Sequence, residues 1–351
     1  MLLLKMNCLY PFFVKAAIKF DNQAQFHPRK FLLSLAEKLV NEGVLIYENT
    51  RMKDISDENP YRVITDKGEI KAKYVIIASH FPVYDHLAFY FARMYQSRTY
   101  ALGLKIKEKF PGGMYLSAES PSRSLRAQPT EEGELVLLVG EEHKTGQPQE
   151  TKSYYEALKK FACENYDVES IPYHWSTQDC MPLDNIPYIG RIKDGVENMF
   201  VATGFKKWGM THSIISGLII KDLIINRDNS WIELYNPSRF TLKQSFKKFF
   251  EVNLDVAKEL VSGKLEIPEN SLKDLKNEEG VVIDIEGRKV GAYKDNKGEV
   301  YLVDTTCSHL GCELKWNDAE KSWDCPCHGS RFTYTGEVIQ GPAVKNLQRL
   351  N

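Results

Sequence analysis

Helical and strand periodicities alternate along the first part of the chain. RKFLLSLAEKLVNE (29–42) sets Phe31, Leu32, Leu35, Leu39 and Val40 at the spacing of one helix face, and Gly43 ends the run. GVLIYE (43–48) follows as a predicted strand. Tyr61–Thr65 and Glu69–Ala72 flank Asp66-Lys67-Gly68, which predicts a hairpin. KYVIIASH (73–80) is a continuous apolar run, the pattern of a parallel strand buried on both faces. Helix alternating with strand predicts α/β architecture.

From 98 to 140 the texture changes. RTYALGLKI, GMYLS, SLRAQP and ELVLLVG are short strand-like runs separated by turn residues, so an antiparallel sheet is expected. TKSYYEALKKFACENY (151–166) predicts a helix. IPYIG (186–190) and NMFVATG (198–204) return to strand character, and THSIISGLIIKDLII (211–225) predicts a largely apolar helix. Residues 242–263 form a charged amphipathic stretch suited to an interdomain helix. Beyond it VVIDIEG, KVGAYKD and GEVYLVD are three short strands with tight turns. The expected partition is a domain over 1–240, a linker helix over 241–264 and a small all-β domain over 265–351.

Composition narrows the class. The 351 residues are 43 % apolar and 26 % charged, as in an ordinary folded protein. Forty-six basic against forty-seven acidic residues leave a net charge of -1, which gives no reason to expect a nucleic-acid or anionic-membrane partner. The apolar start, MLLLKMNCLYPFFVKAAIKF, is broken by Lys5, Pro11, Lys15 and Lys19. That suits neither an export signal nor a membrane span, so core strands and a cytoplasmic location are expected.

The seven cysteines are unevenly spread. Cys8, Cys163 and Cys180 are isolated, whereas Cys307, Cys312, Cys325 and Cys327 share a short segment. A local cluster points to a metal or redox site sooner than to a secreted disulfide framework. The segment runs CSHLGC (307–312), then CPCHGS (325–330), which gives one Cys/His pair on each of two loops. Two thiolates and two neutral imidazoles can hold the two irons of a [2Fe–2S] unit, and the imidazoles raise its potential. The same four side chains could hold a structural zinc.

C-x-H-x-G-C followed by C-P-C-H-G-S resembles the Rieske iron–sulfur domain over about residues 265–351, and GPA (341–343) resembles its proline loop. The resemblance implies Cys307 and Cys325 on one iron and His309 and His328 on the other. It implies a Cys312–Cys327 disulfide, as in the cytochrome bc-type branch. Ser330 falls where a hydroxyl donates to a cluster sulfur. High-potential members carry a tyrosine two residues further on, where this chain has Phe332. Loss of that donor implies a potential below that of respiratory Rieske proteins.

The first 240 residues resemble flavoproteins of the glycine oxidase/D-amino-acid oxidase type. QAQFHPRKFLLSLAEKLVNEGVLIYENTRMKDI, GEIKAKYVIIASHFP, LDNIPYIGRI and NMFVATGFKKWGMTHSIISGLIIKDLI carry the likeness. In the last, a strand meets Gly204 and Phe205, and Trp208, Gly209 and Met210 lead to Thr211 as the expected N-cap. A helix N-terminus there suits the negative charge that develops on a reduced flavin. Tyr188 and Trp208 are the candidates nearest the ring. His27 and His80 are expected to be structural.

Such flavoproteins open with strand, G-x-G-x-x-G, helix. No such motif occurs in this sequence. The expected fold is therefore an α/β (α+β) flavoprotein-like domain, N-terminally truncated, beside a small all-β Rieske domain. The cofactors implied are a [2Fe–2S] cluster and FAD, the latter doubtful without the pyrophosphate loop. The partners implied are a small-molecule substrate, an amine or amino acid, and a redox acceptor met at an exposed histidine edge. The alternative is an electron carrier whose flavoprotein region is only a scaffold.

Overall fold

The computed structural model describes residues 3–5, 14–56, 58–85, 88–148, 150–239, 242–266, 268 and 271–350. The chain forms two compact units. The first is Met1–Glu48, Thr99–Glu142 and Lys152–Thr177; the second is Asn49–Arg98, His143–Thr151 and Gln178–Asn351.

In the first unit Leu3–Lys5 pairs antiparallel with Ala17–Lys19. Most of the expected N-terminal strand region, with Cys8, lies outside the described residues. Helix α1 (Pro28–Asn41) starts where His27 accepts a hydrogen bond from the Lys30 N–H and Pro28 presets the first turn. It ends at Glu42, with Gly43 at φ +91°. Its apolar residues Phe31, Leu35 and Leu39 are exposed, so the expected core face is uncovered in this chain. GVLIYE is not a strand: it runs as a turn and irregular chain, with Leu45 74 % exposed. A strand needs ladder partners, and no described strand pairs with it.

The expected antiparallel sheet is present, in the spatial order Val168–Pro182, Met94–Ile106, Gly133–Lys144, Ser124–Thr130, Met114–Leu116. Helix α2 (Lys152–Asn165) buries Leu158 and Ala162. Two of its tyrosines hold Tyr100, Tyr154 by stacking at 5.3 Å and Tyr155 edge-on at 4.7 Å.

In the second unit the predicted hairpin forms. Tyr61–Thr65 pairs with Glu69–Ala72, and the Thr65 N–H donates to the Gly68 carbonyl across the turn. Tyr188–Arg191 and Met199–Thr203 pair antiparallel, and Val75–Ile77 adds in parallel beside Met199–Thr203. Val75–Ile77 is buried on one face only, because Ile76 opens onto a cavity instead of a covering layer. Helix α3 (Gly209–Ile224) lays Ile219, Ile220 and Leu223 on Ile189 and Phe200. A one-turn helix α4 (Ile232–Tyr235) and the long α5 (Leu242–Leu265) follow.

The C-terminal part is all-β, as expected. One sheet orders Glu279–Ile285, Arg288–Lys294, Val300–Asp304 and Arg349–Leu350. A second orders Lys315–Asn317, Ser322–Asp324, Arg331–Thr333 and Val338–Gln340. They pack closely through glycine. A Cβ on Gly280 would lie 2.3 Å from the Trp316 ring, and one on Gly291 2.7 Å from Trp323. Trp323 and Phe332 fill the core between them.

Candidate functional site: two cysteine–histidine loops and a flavin-side cavity

Two loops border the second C-terminal sheet: one enters it from Val300–Asp304 of the first sheet, the other joins Ser322–Asp324 to Arg331–Thr333. The first, Cys307–Cys312, is closed by Cys307 N–H to the Cys312 carbonyl at 2.8 Å and Gly311 N–H to the Cys307 carbonyl at 2.9 Å. The second, Cys325–Ser330, closes in the same way through Cys325 N–H to Ser330 and Gly329 N–H to Cys325. Gly311 and Gly329 both sit at φ +74°, a conformation glycine adopts without strain. A Cys312–Cys327 disulfide joins the loops, with Cα atoms 6.5 Å apart.

Cys307 and Cys325 are both buried. A hydrogen bond with Cys325 pulls the Cys307 thiol down to about 7 against its burial. The backbone N–H groups of His309 and Leu310 and the Ser330 hydroxyl lower it further. Cys325 moves the other way, since it shares a proton with Cys307 and is fully buried. The rings of His309 and His328 stand edge to face at 5.1 Å. Burial, then the neighbouring His309 and Lys144, pushes His328 down to about 3, so its imidazole is neutral, as a metal ligand must be. A sulfur pair cradled by N–H and O–H donors, beside two imidazoles, fits a [2Fe–2S] group.

Behind the loops lies a buried charge network. The Asp324 carboxylate accepts from Arg331 Nε at 2.9 Å, Asn317 Nδ2 at 2.7 Å and Ser322 Oγ at 2.8 Å. Burial pushes this carboxyl up, but Arg331 and Arg98 with the hydrogen bonds bring it below the usual range. Ser330 Oγ also accepts from the Ala343 N–H at 3.0 Å, which ties the GPA loop to the site.

The cavity that Ile76 faces has a volume of about 600 Å³ and is mostly apolar. His80, Thr203, Gly204 and Phe205 line one side, and Ser213 and Gly217 of α3 the other. Gly204 is at φ +73°, and a Cβ there would lie 2.6 Å from Pro182. Phe205 stacks on His212 at 5.8 Å. The N-cap lies three residues before the expected one: Trp208 is the N-cap and Thr211 is already inside the first turn. Gly209 and Met210 enter the helix because the His212 N–H reaches the Trp208 carbonyl at 3.0 Å.

Two family descriptions match the chain: FAD dependent oxidoreductase (DAO) over residues 6–223 and Rieske [2Fe-2S] domain over residues 267–351. The chain belongs to the DAO family of FAD-dependent oxidoreductases and ends in a Rieske domain. YhfW of Bacillus subtilis, named as a Rieske 2Fe-2S iron–sulfur protein, is 46 % identical over 96 % of the chain. The chain spans 66 % of that relative's length. The cytochrome b6-f complex iron–sulfur subunit 1 of Nostoc sp. is 51 % identical over 13 % of the chain and 26 % of its own length. Glycine oxidase from Geobacillus kaustophilus superposes with a TM-score of 0.49 at 17 % identity, covering 59 % of this chain and 57 % of that one.

Several residues named from the sequence of this DAO–Rieske chain lie apart from the cavity. Tyr188 is absent from the cavity wall; it is 3 % exposed, with the guanidinium groups of Arg93 and Arg239 over its ring at 4.4 and 4.2 Å. Trp208, Gly209, Met210 and Thr211 lie at the helix start, outside the residues that line the cavity, and Trp208 is exposed. The histidine edge is partly covered: the Phe91 ring lies edge-on to both His309 and His328, His328 is buried and His309 stays half-buried. His27 caps α1; His80 lines the cavity, and its backbone carbonyl accepts from the Thr203 hydroxyl.

The sequence reading missed the residues from outside 265–351 that hold the second loop. Gln178 Nε2 donates to the Gly329 carbonyl at 2.9 Å, and Gln178 Oε1 accepts from Thr145 and Arg98. A Cβ on Gly146 would lie 2.6 Å from the Cys325 backbone. No local motif marks such contacts, since the partners are 151 and 179 positions apart. No helix among the described residues is long and apolar enough to cross a membrane.

Proposed function

We propose that this DAO–Rieske oxidoreductase takes electrons from an amine or amino acid through flavin to a [2Fe–2S] cluster. Bound flavin supplies hydride acceptance and the cluster supplies one-electron storage. Cys307 and Cys325 would hold one iron, and His309 and His328 the other. Ser330 and the N–H groups of His309 and Leu310 would steady the sulfur charge. Gly204 and Phe205 would bound the flavin ring, and the α3 N-terminus would face its developing negative charge. The domain limits 1–240, 241–264 and 265–351 belong to this proposal.

One observation carries the coupling of the two sites. Strand Met94–Ile106 begins against both of them. The Met94 sulfur lies 3.2 Å from the position a Gly204 Cβ would take, and Gln96 Cγ lies 2.4 Å from that of Gly329. Two residues of one strand, about 7 Å of chain, therefore separate the cavity wall from the second cysteine loop. A scaffold with no redox role would need no such junction, and the carrier-only reading is not favoured.

The test is anaerobic. The FAD-loaded chain is mixed with a panel of amines and amino acids while the flavin and cluster absorption bands are followed. Bleaching of both bands by one substrate class is expected, with the cluster response lost in Cys325→Ser. Flavin bleaching with a cluster that stays oxidised would contradict the proposal.

A further inference from the structure

A metal-bound histidine keeps one ring nitrogen off the metal, and that nitrogen ordinarily meets a carboxylate, a carbonyl or water. Here an aromatic ring lies beside both imidazoles. Phe91 stands edge to face with His309 at 5.8 Å and with His328 at 5.3 Å. The two imidazoles are 5.1 Å apart, so the three rings form a closed triangle. His328 is left 7 % exposed.

Phe91 is fixed from several sides. The Asp85 carboxylate accepts from the Tyr90 N–H at 2.5 Å and from the Phe91 N–H at 2.8 Å, which builds the short 3-10 turn Tyr90–Ala92. Tyr90 is fully buried and its hydroxyl donates to the Ile192 carbonyl at 3.1 Å. Asn253 of α5 donates to the Ala92 carbonyl at 3.0 Å. Met94, which touches the cavity wall at Gly204, is three residues on, at most about 11 Å of chain away.

We propose that Phe91 is a lid over the imidazole edge of the cluster site, and that it sets how fast a soluble redox partner exchanges one electron there. The proposal rests on the ligand assignment above. An aromatic ring in edge contact offers no hydrogen-bond partner and narrows the access of water and of a polar partner to that edge, most of all at the buried His328, while His309 stays half-buried. Removing the ring opens the edge and leaves all four ligands, the disulfide and the Ser330 hydroxyl in place.

The full cluster-loaded chain is reduced with dithionite and mixed with ferricyanide in a stopped-flow instrument. Each ferricyanide takes one electron and becomes ferrocyanide. Phe91→Ala should raise the second-order rate about tenfold and Phe91→Leu less, whereas a change within about twofold in a variant that keeps its cluster signal would overturn the lid. A measurement on the unaltered chain guards against variants that fail to load. Diethyl pyrocarbonate labelling, mapped by mass spectrometry, should modify His328 far more slowly than the exposed His174. Equal labelling would overturn the lid. Absence of iron from the unaltered chain would overturn the ligand assignment itself, a failure separate from an unchanged rate in a loaded protein.

Discussion

Phe332 shows how much one missing oxygen can matter beside a charged site. It is fully buried, faces Trp323 across the ladder and has no hydroxyl to offer. Phe332→Tyr should add a donor toward the sulfur pair and favour the reduced state. The expected rise in midpoint potential is about 60 mV, the one-electron equivalent of a tenfold change. A redox titration with no upward shift would remove Phe332 from the account. Asp324 is the other decisive residue. Its depressed carboxyl pKa means that the ionised network stabilises the fold above the unfolded value near about 3.9, and that this stability is lost as pH falls through the lower native value. Arg331→Met should strip that buried charge of its hydrogen-bonded ion-pair partner and leave Arg98, Asn317 and Ser322 to hold it, at a cost of up to about 3–5 kcal/mol. Thermal melts from neutral to acid pH check both points: Asp324→Asn should flatten the acid limb, and an unchanged limb would contradict the assignment.

At the scale of elements, the disulfide is the joint between two loops that share no ladder of their own. It closes 15 residues of chain, for which the chain-entropy account gives about 3 kcal/mol. Cys312→Ser with Cys327→Ser should lower the melting temperature and hasten loss of the cluster band, with the band's shape retained. Equal stability with and without the bond would show that the sheets alone hold the loops. The disulfide pairing was legible through the Rieske resemblance, which two short motifs carry, each within six positions. The hairpin at Asp66-Lys67-Gly68 was legible because its signal is local. GVLIYE was misread because an apolar β-branched run states what a strand could be and says nothing of whether a neighbour pairs with it. The α3 start was misplaced because Thr211 is a good cap in isolation, whereas the chain turns at Trp208.

At the scale of the molecule, what escaped the sequence is the way the DAO and Rieske parts share one compact unit. Gln96, Gln178 and Gly146 carry no motif, and Phe91 reads as one more aromatic in FYFARMY. Only the fold brings them to the cysteine loops, across more than 150 positions. Gln178→Ala should remove the donor to Gly329 and loosen the second loop, with a buried-group cost of about 1–3 kcal/mol. Faster iron release to a chelator is the readout, and release at the unaltered rate would contradict that role.

The central claim is that one site combines two sulfur and two imidazole ligands around two irons. It is tested most directly by pulsed electron paramagnetic resonance on the dithionite-reduced chain, with the metal content measured on the same sample. The account predicts two irons per chain and hyperfine coupling from two imidazole nitrogens, lost in His309→Ala or His328→Ala. One zinc per chain, no iron and no paramagnetic signal would contradict it.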